Sequence, residues 1–397
     1  MERIGGLTSE YLNKGIDVKA MEEELLGLIK QYNEKRGVFL FVYAGAIGKP
    51  MPIPDVIMSM DDYFVIHDML RKAAPLAPKR LDFYIETPGG SGEAAEEIAR
   101  LLRSRYETVS FVVSGEAKSA GTILILTGNE LLMTDSGSLG PIDAQIRIGR
   151  TVISASDYTE WVKQKVKEAK KKGKLNAFDA TMIAQISPGE LKLVHYSLEF
   201  AKDIVRTGLA KYKFKDWSQT ETRKKTVNEK MKEERADEIA GVLANHSKWR
   251  THGRSIKIGD LEEMGLKVVR LDDDPPLAEL VYRIQTIIRL LFSTTNIYKI
   301  FATENEKIFK NVLIGPEMQI PLAKTDAVVA DVRCPNCNKN HKVYLKIADN
   351  PKIDEDFKKR GAVPFPQGNK LRCECGFEID LSGLKNEVEA KTGKKVI

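Results

Sequence analysis

Along this chain, short β-branched or aromatic runs alternate with stretches whose apolar residues recur every three to four positions. The run 81–87, Leu-Asp-Phe-Tyr-Ile-Glu-Thr, reads as a buried strand that stops at Pro88-Gly89-Gly90. Beyond it Ala94, Ala95, Ile98, Leu101 and Leu102 fall on one helical face. The run 108–113 predicts another strand, and the apolar stretch 120–126 another helix. Strands alternating with helices in this way predict an α/β fold with a parallel sheet. Before them, Met21, Leu25, Leu26, Leu28 and Ile29 suit an amphipathic helix. After them, the stretch 154–174 is charged and ends in a lysine cluster, and helical patterns cover 190–212, 223–244 and 277–292. Strand-like runs return at 327–332, 342–347 and 377–381.

The two strand-to-helix turns lie about one β–α unit apart, so a parallel sheet brings both to its carboxyl edge, where open α/β sheets bind ligands. Ser119 stands at the mouth of the second turn, between Lys118 and Ala120. A hydroxyl at a helix start lies among free backbone N–H groups and can be both nucleophile and neighbour to an oxyanion. The plainer reading is a helix-capping serine. At the first turn, Gly89 and Gly90 let backbone N–H groups approach a ligand closely; the plainer reading there is an ordinary turn.

In order, strand–Pro88-Gly89-Gly90–helix, strand–Ala117-Lys118-Ser119-Ala120-Gly121–helix and Ser138-Leu-Gly-Pro-Ile-Asp143 resemble the Clp-protease/crotonase superfamily. Within it, the chain is most similar to signal-peptide-peptidase-like serine peptidases of the serine dehydrogenase proteinase group. The resemblance covers roughly 38–272, closing on 253–266. It implies a core of repeated β-β-α units wound as a spiral, with helical additions. It also implies a nucleophile at Ser119 and an oxyanion hole from the N–H groups of Ala120 and Gly89, with Gly90 as the alternative to Gly89. An assembly of identical subunits and a peptide or protein substrate follow from the same resemblance.

The proton acceptor is less plain. Where the Clp subunit carries its histidine, this chain reads Gly140-Pro-Ile-Asp143. Two solutions stay open. One is a lysine, as in the signal-peptide-peptidase branch, with Lys163 and Lys165 at a suitable distance along the chain and 170–172 behind them. Its plainer reading is a solvated basic helix face. The other, which we favour, is His252 with Asp143, a triad whose members have exchanged places along the chain, since triads are defined by geometry and not by order. His67, His195 and His246 read as ordinary helix residues, and Lys118 is expected to point away from its neighbour Ser119.

The four cysteines form two close pairs, Cys334 with Cys337 and Cys373 with Cys375, beside the late strands. This resembles a zinc ribbon, with one structural zinc per chain and His341 a bystander. The N-terminus lacks a cationic-then-apolar leader and no apolar run reaches spanning length, so a cytoplasmic protein with reduced thiols is expected. A formal net charge of +6 permits an acidic partner, but no aromatic interleaving supports nucleic acid. The expected division is a helical arm at 1–37, a peptidase domain at 38–272, a helical linker or oligomerisation segment at 273–324 and a zinc-ribbon-like module at 325–397. The activity expected is that of a serine endopeptidase, itself independent of ATP. The alternatives are a crotonase-type acyl-CoA enzyme and a degenerate scaffold that binds protein or RNA.

Overall fold

The computed structural model describes residues 6–49, 56–73, 79–148, 151–220, 222–312, 326–349 and 352–397. It divides into two units, one ending at Val312 and one beginning at Leu313. The boundary expected at 324 falls outside the described residues.

The first unit is mixed α/β. Its main sheet has seven strands, in spatial order Lys307–Asn311, Ile297–Ala302, Phe39–Gly45, Arg80–Glu86, Thr108–Val113, Glu130–Met133 and Val269–Arg270. The last five run parallel, and the first two join antiparallel. Alternation along each strand divides the core between the two faces. Phe41, Phe83, Ile85, Phe111 and Val113 pack on one side with the helices Met60–Ala73, Gly92–Arg105 and Ala120–Ile125. Leu40, Val42, Tyr84, Val112 and Leu132 pack on the other with Val18–Arg36 and Pro275–Thr294. Burial on both faces explains why these strands read as continuous apolar runs.

Of the segment 273–324, expected as a helical linker or oligomerisation segment, the described residues 273–312 supply a core helix and the two antiparallel strands. In Pro275–Thr294, Val281, Ile284, Ile287, Ile288 and Leu291 are fully buried within the unit's own core, so the wide apolar face has its partner there. The described part of the expected arm, 6–37, likewise contributes to this layer through Tyr11, Met21, Leu25, Leu28, Ile29 and Tyr32. Its longer helix is capped by Asp17, which accepts from Ala20 N, and stops at Gly37 in a left-handed turn.

A second, much shorter ladder stands at the carboxyl ends of the strands. Thr87 bridges Ala117, Glu116–Ala117 pairs with Ser138–Leu139, and Leu139 bridges Ile256. The strands Arg80–Glu86, Thr108–Val113 and Glu130–Met133 thus each continue into a member of this short ladder, which sets the turns that follow beside one another. Between Asp143 and His246 the chain makes a long excursion. It comprises the hairpin Gln145–Ile148/Thr151–Ser154 and the helices Ala155–Lys172, Ala177–Ala184, Pro188–Gly208 and Glu229–Ala244.

The second unit pairs Ala327–Arg333 with Asn340–Lys346 antiparallel and adds Val363–Pro364. A separate hairpin joins Lys370–Arg372 to Glu378–Asp380. No helix among the described residues is long and apolar enough to cross a membrane.

Candidate active site

Ser119 occupies the N-cap position of Ala120–Ile125, yet its side chain makes no capping hydrogen bond. Its backbone sits at φ 48°, ψ −114°, in the left-handed half of conformational space. Such a conformation costs a non-glycine residue about 1–3 kcal/mol and persists only where surrounding bonds enforce it. Here Lys118 N donates to Thr87 O at 3.0 Å, Gly121 N to Lys118 O at 2.8 Å, and Ile123 N to Ser119 O at 3.0 Å. Thr122 Oγ1 accepts from Gly140 N at 3.0 Å and lies 2.9 Å from both Ala117 O and Gly140 O. The capping reading of Ser119 therefore fails: the turn is strained and its hydroxyl is not spent on the helix.

The diglycine turn lies directly against this serine. A side chain at Gly89 would place its Cβ 2.7 Å from Ser119 Cβ and 3.4 Å from Ser119 Oγ. Gly89 and Gly90 both have positive φ, 107° and 149°. Met58 lies alongside as a short parallel bridge, its N–H donating to Gly89 O at 2.7 Å and its carbonyl accepting from Ser91 N at 3.0 Å. Gly89 N donates to Thr87 Oγ1 at 3.2 Å. Among the described residues, the N–H groups of Gly90 and Ala120 make no hydrogen bond. Of the two glycines considered from sequence, Gly90 is thus the one whose N–H is uncommitted.

Asp143 is fully buried, and His252 Nδ1 lies 2.7 Å from its Oδ1. A second imidazole meets the other oxygen: His246 Nδ1 is 2.7 Å from Oδ2. Burial raises the Asp143 pKa, but the hydrogen bonds and charges of His252 and His246 outweigh it and hold the carboxyl below its ordinary value. Ser119, Ala120, Gly89, Gly90, Asp143 and His252 line one cleft of about 640 Å³. Ile57, Ile123, Ile142, Tyr196 and Phe200 give it apolar walls. No hydrogen bond joins Ser119 to His252 among the described residues; such contacts often tighten only around substrate.

The lysines stand elsewhere. Lys163 is exposed on Ala155–Lys172. Lys165 lies 2.7 Å from Asp179 and 3.3 Å from Glu168, and the Asp179 hydrogen bond raises its pKa, the reverse of what a base needs. Lys172 is bonded to Glu168. None of these lysines lines the cleft.

Two residues passed over in the sequence belong to the surroundings of the site. His246 was expected to be an ordinary helix residue; it shares Asp143, and no local pattern announces a contact made 103 positions away. Lys118 was expected to point away from Ser119, and does so, but inward. Its buried ammonium lies 2.9 Å from Ser255 Oγ, 3.1 Å from Leu139 O and 3.2 Å from Ser138 Oγ. It ties together the two segments that carry Asp143 and His252, and burial lowers its pKa.

In the second unit both cysteine pairs sit in hairpin turns. Cys334 N donates to Lys339 O at 2.9 Å, and Cys373 N to Phe377 O at 2.8 Å. All four sulfurs lie within 4.8 Å of one another, with Cys334–Cys375 at 3.7 Å and Cys337–Cys373 at 3.5 Å. A tetrahedral ion with sulfur bonds of about 2.3 Å requires sulfurs about 3.8 Å apart. The four cysteines therefore fit a metal ion. His341 Nε2 lies 3.2 Å from Cys373 Sγ, closer than a bystander's place.

Comparison with known proteins bears on the first unit. Residues 50–225 match the family described as ClpP-like SDH-type serine proteinase. Two uncharacterized proteins of Methanocaldococcus jannaschii are similar: one is 27% identical over 54% of this chain and 60% of its own length, the other 24% over 50% and 55%. The chain thus spans little more than half the length of these relatives. Among solved structures, a mutant of a membrane-bound stomatin-specific protease overlaps 56% of this chain and 79% of its own, at 13% identity and a TM-score of 0.33. ClpP1 from Listeria monocytogenes overlaps 55% and 89%, at 11% identity and a TM-score of 0.29. Over residues 50–225, this chain is therefore similar to the ClpP-like SDH-type serine proteinases.

Proposed function

We propose that the protein is a serine endopeptidase acting on peptides or proteins. Ser119 Oγ attacks the substrate carbonyl, and His252 accepts the hydroxyl proton through Nε2. Asp143 holds the imidazole with Nδ1–H toward itself and stabilises the charge that forms. The tetrahedral oxyanion takes hydrogen bonds from Gly90 N–H and Ala120 N–H. His252 then gives its proton to the departing amine, and water releases the acyl group by the same steps in reverse. The observation that carries this reading is the 2.7 Å His252–Asp143 contact in the cleft that Ser119 and the diglycine turn also line.

A fluorophosphonate probe tests it on the full chain. Mass spectrometry should find the adduct on Ser119, none on Ser119→Ala, and a His252→Ala labelling rate about 10²- to 10⁴-fold lower. Labelling that survives both substitutions would refute the reading. Peptide hydrolysis equal in wild type and Ser119→Ala would point instead to a scaffold.

We further propose that Cys334, Cys337, Cys373 and Cys375 hold one structural zinc in a ribbon-like module, and that the chain forms a homo-oligomer. The sulfur spacing supports the first, and the resemblance to Clp-type peptidases supports the second.

A further inference from the structure

We infer that His246 is a positioning residue, which fixes Asp143 so that its other oxygen can orient His252. The inference rests on the proposed role of His252 as base. Asp143 is sealed from solvent, and each of its oxygens meets an imidazole Nδ1 at 2.7 Å. An ionised carboxylate only accepts hydrogen bonds, so both histidines present Nδ1–H to it. The Nε2 of His252 is then left for the cleft that this residue lines; His246 does not line it.

The two histidines therefore have different work. A carboxylate held by one oxygen keeps its two-fold torsional freedom, and its second oxygen, buried and unpaired, carries a desolvation penalty. His246 removes both defects. It is itself well fixed, as the first residue of the short helix His246–Trp249, with Asn245 capping Lys248 N and with Nε2 3.4 Å from Asp157. Ile142 N, next to Asp143, donates to Leu243 O at 3.1 Å, so the two chain segments are also joined by backbone. Without the His246 donor, Asp143 is free to turn, and His252 loses its fixed orientation.

The test measures fluorophosphonate labelling of the full chain against probe concentration. His246→Phe keeps the ring and removes the donor; His246→Asn returns an N–H close to the position of Nδ1. We expect His246→Phe to lower the limiting rate about 10- to 100-fold, the range for loss of an outer-shell partner, with the half-saturating concentration unchanged. His246→Asn should recover most of that loss. His246→Phe combined with His252→Ala should label no more slowly than His252→Ala alone. Wild-type rates in His246→Phe, failure of His246→Asn to recover, or additive losses in the double variant would each overturn the inference. If His252→Ala is slow and His246→Phe is not, only this inference falls; if His252→Ala labels at the wild-type rate, the base assignment falls with it.

Discussion

At the scale of single residues, the site depends on how closely two backbones approach. Gly89 has no room for a side chain: an added Cβ would press on Ser119 at 2.7 Å and on Lys118 O at 3.0 Å, at a φ of 107° that L-residues avoid. Gly89→Ala should therefore push the diglycine turn off Ser119, misplace the neighbouring Gly90 N–H and cut Ser119 labelling at least about 10²-fold, the scale on which loss of an oxyanion donor is felt. Circular dichroism should still report a folded chain, and unaltered labelling would show that the two turns do not cooperate. The sequence shows why this residue must be small, since the strand ends in a diglycine. It does not show that Gly89 N–H is taken by Thr87 while Gly90 N–H is not, because that depends on peptide-plane orientation. Likewise Asp143 and His252 could be paired only through resemblance, and His246 could not be found at all. Their meeting is set by tertiary folding, and the Lys118 anchor follows from burial that no local pattern encodes.

Elements were legible in proportion to their periodicity. The helix predicted from Ala94, Ala95, Ile98, Leu101 and Leu102 runs over Gly92–Arg105 with all five buried, and its start is fixed by Ser91 accepting from Ala94 N. The helix expected at 190–212 is Pro188–Gly208, continued by the wider turn Leu209–Lys213. The strands Ile297–Ala302 and Lys307–Asn311 escaped notice. In the first of them stands Lys299, a fully buried ammonium 2.7 Å from the equally buried Asp62, which masks the apolar run. That pair anchors the segment beside the diglycine turn, since Lys299 also donates to Ile57 O at 2.8 Å; breaking it by removing one partner would cost about 3–5 kcal/mol. In the second unit the two cysteine turns are the elements with most to gain from a ligand. Metal analysis of the purified protein should find one zinc per chain, lost in Cys334→Ser, and amide exchange in Cys334–Cys337 and Cys373–Cys375 should then accelerate. A metal-free wild type with protected turns would dispose of the zinc proposal.

For the whole molecule, the sequence conveyed the α/β class and a parallel sheet with both turns at its carboxyl edge, but assigned too little to the sheet. The residues 273–312 read as a helical linker or oligomerisation segment because their helix follows a double proline; the structure returns them to the core as a layer and two strands. This bears on assembly. The apolar side of Pro275–Thr294 is covered within its own unit, so the proposed oligomer would have to form through other surfaces. Light scattering at micromolar concentration should nevertheless give a mass several times that of one chain; a monomeric mass would contradict the proposed oligomer. The long excursion between residues 143 and 246 adds one more consequence. It departs from and returns to the same carboxylate, closed at its base by the Asp143–His246 contact. Leu193, Tyr196 and Phe200 of this excursion line the cleft, so the wall facing Ser119 is carried by a segment tethered at the carboxylate that also meets His252.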